Sequence, residues 1–187
     1  MTEPLTVVDV GARWGIADRW AALGPHRRII GFDPDDQECA RLNAALAGGD
    51  DAGRVAYVPL ALGAAPGTTT LHVTVQPACS SIYPPIEALA AQFGELACIE
   101  PTGTVEIEMV TLDDWCADHG VGVVDVMKVD TQGSELDVLR GAVRILSTVQ
   151  VLEVEVEFNP IYDGQPLFGH VDEFLRSQGF RLWRLDH

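Results

Sequence analysis

Positive charge is scarce in this chain: its 187 residues carry 12 Lys and Arg against 28 Asp and Glu, a net charge of -16. A surface with that balance repels phosphate backbones and anionic lipid headgroups, which argues against a nucleic-acid or membrane-surface partner. Cysteine is scarce too. Cys39, Cys79, Cys98 and Cys116 show no C-x-x-C spacing, and a chain of this length needs no disulfide staples, so reduced cytosolic thiols are expected. No stretch offers the ~20 uncharged apolar residues of a membrane span, and residues 1–10 carry no leader signature, so the chain reads as cytoplasmic. No G-K-[ST] occurs, which excludes a P-loop, and there is no internal repeat.

What is present is apolar material, 47% of residues, enough for one sizeable core in a single domain over residues 1–187. Short apolar runs alternate with stretches of helical period. That pattern predicts an α/β fold, Rossmann-like, with a mostly parallel, doubly wound sheet. Strands are expected at Leu5 to Val10, Arg28 to Phe32, Val55 to Leu60, Val123 to Val129, Val149 to Phe158 and Phe180 to Leu185. Helices are expected at Ile16 to Leu23, Pro34 to Ala47, Ser134 to Leu146, interrupted by Gly141, and Phe168 to Gln178. A short helix capped by Thr111 or Asp113 ends at Gly120. After the third strand the alternation breaks. Thr68 to Val75 and Val105 to Val110 read as strands flanking residues 76–103, an insertion too apolar at Ile82-Tyr83-Pro84-Pro85-Ile86 for a free linker and expected to cover the ligand crevice as a lid.

Two acids end the first two strands. Asp9-x-Gly11-x-x-x-Gly15 follows an apolar strand and opens a helix, the setting in which glycines admit a ligand to the backbone. Asp9 stands where a dinucleotide fingerprint carries its first glycine. A carboxylate there repels pyrophosphate but suits a ligand bearing an ammonium and a sulfonium. Asp33, in Gly31-Phe32-Asp33-Pro34, sits where such folds bind ribose hydroxyls, or else caps the helix that begins at Pro34.

With the rest of the chain, these segments resemble the FkbM-type methyltransferase family over essentially the whole length. The resemblance is carried by Val8-Asp9-Val10-Gly11-Ala12, Gly31-Phe32-Asp33-Pro34, Ala61-Leu62-Gly63, Thr111-Leu112-Asp113-Asp114 and, above all, the run Lys128-Val129-Asp130-Thr131-Gln132-Gly133-Ser134-Glu135 continuing to Ala142. Glu155 to Phe168 resembles one branch of that family. The resemblance implies a Rossmann-like methyltransferase fold, S-adenosylmethionine as methyl donor, and transfer to an oxygen, often on a sugar or small metabolite. It also implies that Ala12, Ala61, Leu62 and Asp130 join Asp9, Gly11, Gly15 and Asp33 around the donor.

Methyl transfer from a sulfonium is an in-line displacement that needs alignment and, for a hydroxyl, removal of a proton. Asp130 and Glu135 follow the fourth strand, and Glu155 and Glu157 lie toward the end of the fifth, so Asp130, Glu135 and Glu155 are the candidate catalytic acids. Glu135 reads equally well as a first-turn helix carboxylate. Glu153, Glu155 and Glu157 fall on one face of what reads as a central strand, where unpaired burial is too costly unless some reach solvent, a cation or the crevice. Asp130, Glu135, Glu155 and Glu157 could also bind Mg²⁺, though no spacing calls for it. His170 is a second candidate base; Trp14 and Tyr83 are candidate stacking aromatics. Two other readings stand beside methyl transfer: an NAD-dependent oxidoreductase, and a donor-binding domain without catalysis. Phe180 to Leu185 has no closing hairpin partner, so either the chain is trimmed or the sheet ends early, and an uncovered edge there would invite pairing in a homodimer.

Overall fold

The computed structural model describes residues 4–15, 20 and 22–186. The helix expected over Ile16 to Leu23 falls largely on residues outside this set.

The first half runs β1 (Leu5–Val10), β2 (Arg27–Phe32), α1 (Asp36–Leu46), β3 (Val55–Val58), β4 (Ala61–Leu62) and β5 (Gly67–Thr74). A short 3-10 turn at Pro77–Cys79, α2 (Glu87–Gln92) and a second 3-10 turn at Gly94–Ile99 follow. The remainder is β6 (Pro101–Val110), α3 (Leu112–Asp118), β7 (Val126–Val129), α4 (Glu135–Arg140), α5 (Val143–Leu146), β8 (Val151–Val154) and α6 (Phe168–Ser177).

The main sheet has the order β3-β2-β1-β7-β8, every neighbouring pair parallel. Strand order reverses at β1, so the crevice opens at the carboxyl ends of β1 and β7, the position such sheets give their ligands. Register makes this specific. Val10 pairs with Phe32 on one side and Val129 on the other, so the residues that follow each strand, Gly11, Asp33 and Asp130, emerge side by side.

Both faces of β1 and β2 are covered, which is why their sequences are nearly continuous apolar runs. Val8, Val10, Ile30, Phe32, Met127 and Val129 pack against Leu112, Trp115, Leu139 and Ile145. Val7, Ile29, Val55 and Tyr57 pack with Ala12, Cys39 and Leu42 on the opposite face. The helix edges follow local chemistry. Asp35 caps α1, accepting from the Glu38 amide at 2.9 Å, and Thr111 caps α3, accepting from the Asp114 amide at 3.0 Å. The helix expected over residues 134–146 divides at Gly141, where a Cβ would lie 2.0 Å from the Gly63 carbonyl oxygen. A smaller sheet, β4-β6-β5, carries the insertion, with β5 and β6 antiparallel from Gly67 opposite Met109 to Thr74 opposite Pro101.

Two expectations need correction. The strand expected over Val149 to Phe158 is regular only at Val151–Val154, and it is an edge strand, so Glu153 is exposed rather than buried in a central one. The strand expected at Phe180 to Leu185 does not form. Gly179 turns the chain at φ +93, the Phe180 amide returns to the Leu175 carbonyl at 3.0 Å, and a groove separates the following residues from β8, leaving Trp183 97% exposed. Among the described residues no helix is long and apolar enough to cross a membrane.

Candidate functional site

A cavity of about 320 Å³ fills the crevice at the carboxyl ends of β1, β2 and β7. It is lined on the β1 and β2 side by Gly11, Phe32, Asp33 and the Leu60-Ala61-Leu62 segment and on the adjoining β7 and β8 side by Asp130, Gln132 and Glu155, with Pro77 to Ile82 of the insertion also in its wall. Leu71 of β5 and Ile107 of β6 add apolar wall, and Trp14, 67% exposed, stands at the rim.

The glycine turn is shaped by close backbone approach. The amides of Gly11 and Ala12 both donate to the Phe32 carbonyl at 3.0 Å, pulling the turn across the end of β2. Gly11 adopts φ +81, and a Cβ built there would lie 1.8 Å from the Asp130 carbonyl oxygen, so no other residue fits. Beside it Asp33 is buried, and desolvation raises its pKa against the opposing pull of the Asp35 amide and Arg13. Its Oδ1 accepts from the Asp35 amide at 2.9 Å and lies 3.7 Å from Arg13 Nη1. Arg13 binds mainly Asp35, at 2.5 Å. Since Asp35 caps α1, Asp33 is left to face the cavity.

Four of the anticipated residues do not line the cavity. The Asp9 carboxylate is buried beneath the turn, accepting from Trp20 Nε1 at 2.9 Å and pairing with Lys128 Nζ at 3.3 Å. Lys128 also lies 3.2 Å from Asp130 Oδ2 and reaches the Gly11 carbonyl at 3.4 Å, tying the two strand ends together. Ala12 is buried under the same turn, and Gly15 packs toward Leu42 and the Tyr57 hydroxyl. Glu135 is wrapped by its own loop. Its carboxylate accepts from the Thr131 amide at 2.8 Å, the Thr131 hydroxyl at 3.2 Å and the Gly133 amide at 3.0 Å. Burial raises its pKa while these donors pull it back.

Glu155 is different. Burial, and then the charge of Asp130 beside it, push it up to about 9, so at neutral pH it holds its proton. Gln132 Nε2 donates to Glu155 Oε2 at 2.7 Å and to Asp130 Oδ1 at 3.2 Å. The result is an acid pair that shares a proton, anchored on the Asp130 side by Lys128. Glu157 is also raised by burial but lies outside the cavity lining.

The insertion reaches this pair through two contacts that the sequence did not signal. Ser81 Oγ donates to the Gln132 carbonyl at 2.6 Å, and the buried Tyr162 hydroxyl donates to the Cys79 carbonyl at 2.7 Å. Tyr83 instead donates to Asp137 at 2.7 Å, away from the cavity. His170 Nδ1 accepts from the Leu167 amide at 3.1 Å at the start of α6, also outside the cavity. His119 stacks on Trp115, and His187 lies outside the described residues. Among the described residues no group of three or more His, Cys, Asp or Glu is placed to hold a metal ion.

A glycine turn after β1, a buried acid after β2 and an acid pair across the same crevice define a Rossmann-like α/β domain with a nucleoside-sized site. A family model described as the Methyltransferase FkbM domain matches residues 9–182, and the chain belongs to that family. It is 26% identical over 167 residues to the 2-O-methyltransferase NoeI of Sinorhizobium fredii (strain NBRC 101917 / NGR234), across 85% of this chain. The chain spans 66% of that relative's length. Its fold resembles the solved structure of Methyltransferase FkbM from Methylobacillus flagellatus KT, with a TM-score of 0.51 at 19% identity, over 83% of this chain and 34% of that one.

Proposed function

We propose that this chain transfers a methyl group from S-adenosylmethionine to a hydroxyl of a sugar or small polar metabolite in the cytoplasm. The observation that carries the reading is one cavity with Gly11 and Asp33 at one end and the Asp130–Glu155 pair at the other. Membership of a methyltransferase family weighs the same way and against the oxidoreductase reading.

The residues present fit the donor. Asp33 offers Oδ2, which accepts from no protein donor among the described residues, to a ribose hydroxyl. Gly11 brings bare backbone to the cavity wall, packed against the Asp130 carbonyl, and Phe32, Leu62 and Ala61 supply an apolar seat for a flat ring. When bound, S-adenosylmethionine supplies an electrophilic methyl group on a positively charged sulfur. Asp130, paired with Lys128, stands on that side of the cavity.

At the acceptor end the protein must orient a hydroxyl and take its proton as the new bond forms. The Asp130–Glu155 pair lines that end and does both: the protonated Glu155 donates a hydrogen bond, and Asp130 accepts. Lys128 is engaged by Asp9 and Asp130, and Arg13 by Asp35, so no cation faces the acceptor from these positions. A neutral or amino-bearing acceptor is favoured over a phosphorylated or carboxylated one.

Calorimetric titration with S-adenosylmethionine, S-adenosylhomocysteine and NAD tests the reading. Binding of the first two, weakened by Asp33→Ala, followed by label transfer from methyl-labelled donor to a neutral saccharide panel, is the expected result. Silence from both adenosyl compounds would sink it.

A further inference from the structure

The side chain of Gln132 meets Asp130 after β7, Glu155 after β8 and Tyr162, and its backbone carbonyl meets Ser81 of the insertion. A primary amide has a donor end and an acceptor end of nearly equal shape, and its surroundings decide which points where. Here the two acids set it. The one hydrogen of the Tyr162 hydroxyl goes mainly to the Cys79 carbonyl at 2.7 Å, and Oε1 shares it as the longer arm at 3.2 Å. The opposite end faces the oxygens of Glu155 and Asp130, at 2.7 and 3.2 Å, and an N–H donor is the group that both can use.

The backbone is equally constrained. Gln132 adopts φ +58, a left-handed conformation that residues with a side chain rarely occupy, and Gly133 follows at φ +102. The contact from Ser81 Oγ to the Gln132 carbonyl holds this turn from the insertion side. Strain retained in a cavity-lining turn, with every polar group of the side chain engaged, marks a residue kept in one orientation.

We propose that Gln132 is a positioning residue: its amide, aimed by Tyr162, carries one N–H to Asp130 and one to Glu155 and so holds the two acids together at the acceptor end of the cavity. The use of this arrangement rests on the methyl-transfer reading; the arrangement itself does not. Donation to a carboxylate favours its ionised form. The amide therefore opposes the burial and mutual repulsion that push Glu155 upward, and keeps the shared proton removable. The charged and titratable groups around Glu155 are Asp130 after β7, Glu135 of α4, Glu157 beyond β8, Cys79 of the insertion and Tyr162; Lys128 acts on it through Asp130.

The test is carboxyl-carbon NMR of the full chain with labelled Glu, following Glu155 (assigned by its disappearance in Glu155→Gln) from pH 5 to 10. Two variants are compared with the parent. Gln132→Met keeps the length and removes both donors. Gln132→Asn is tolerated better at positive φ but is too short to reach both acids, so it relaxes the backbone while breaking the bridge. Both are expected to raise the Glu155 midpoint by about one unit, with Gln132→Asn holding its melting temperature within about 2 °C of the parent. Tyr162→Phe, which frees the amide to rotate, is expected to move the midpoint the same way by less. An unmoved midpoint in Gln132→Asn overturns the proposal whether or not Gln132→Met folds. The parent's failure to bind S-adenosylmethionine would sink the methyl-transfer reading and leave this result standing.

Discussion

The two ends of the cavity handle acidic residues in opposite ways. Around the β1 and β2 ends each carboxylate has a positive or N–H partner: Asp9 has Trp20 and Lys128, Asp33 has the Asp35 amide and Arg13, and Asp35 has Arg13. At the β7 and β8 ends Asp130 and Glu155 face each other, with one neutral amide between them and one lysine behind Asp130. Glu135 lies next to that pair yet belongs with the first group, its oxygens enclosed by the Thr131 and Gly133 amides. Residue type does not separate architecture from chemistry here; the partner does. A buried carboxylate given donors has its charge opposed less steeply by burial, and one set beside another acid, as Glu155 is, is pushed further toward its protonated form.

The largest effect is expected where the two ends touch. Gly11→Ala puts a methyl group 1.8 Å from the Asp130 carbonyl oxygen, at φ +81, and the clash is with backbone rather than with a side chain that can swing away. Calorimetry should show donor affinity reduced more than about 100-fold, the cost of left-handed φ adding to the clash. Retained affinity would mean that the turn is scaffold and the donor lies elsewhere. Glu135→Ala comes next, as a stability effect. It strands the half-buried Thr131 amide and the buried Gly133 amide and should cost about 3 kcal/mol by denaturant unfolding. An unchanged midpoint would return Glu135 to the list of candidate catalytic acids.

Asp33→Ala sharpens the contrast from the other side. Its carboxylate faces the cavity and pays desolvation, so removing it should lower donor affinity about 10- to 50-fold while leaving the melting temperature within a few degrees. Loss of both together would identify Asp33 as a structural acid like Asp9.

Much of the β1 and β2 side of the cavity was legible from the chain. An apolar run followed by a glycine, and a second run followed by an acid, encode strand ends locally, and the register of β1 with β2 needs only those runs. On the β7 and β8 side the acids were legible in composition but not their partners. Asp130, Glu135 and Glu155 all follow apolar strands, and what distinguishes Glu135 is a loop that curls back on it through the positive φ of Gln132, a residue type that gives no sign of that conformation. Asp9 drew attention as a carboxylate in a glycine turn, yet its charge is directed inward by Trp20 and Lys128, a partnership between residues far apart in sequence. The Tyr162 and Ser81 contacts with Gln132 span 30 and 51 residues, beyond the reach of periodicity. Edge position was hidden for a related reason: four alternating residues at β8 look the same whether or not a further strand pairs with them.

The smallest of these effects is also the one that tests the comparison most directly, because it reads the proton on Glu155 without any acceptor. The folded protein holds that proton to about pH 9, whereas the unfolded chain releases it near the ordinary Glu value of 4.5. Between those limits the native state binds more protons than the unfolded one, so stability contributed by the group is full below pH 4.5 and is lost as pH rises toward 9. Glu155→Gln removes the titration but keeps the shape and a donor toward Asp130. Its stability should therefore match the parent near pH 5 and exceed it by about 1–2 kcal/mol at pH 8, a fraction of the limiting slope of about 1.4 kcal/mol per unit once local relaxation is allowed for. Urea unfolding at a series of pH values measures this. Parallel curves would place Glu155 with the donor-satisfied acids of the other end and remove the distinction between the two halves of the cavity.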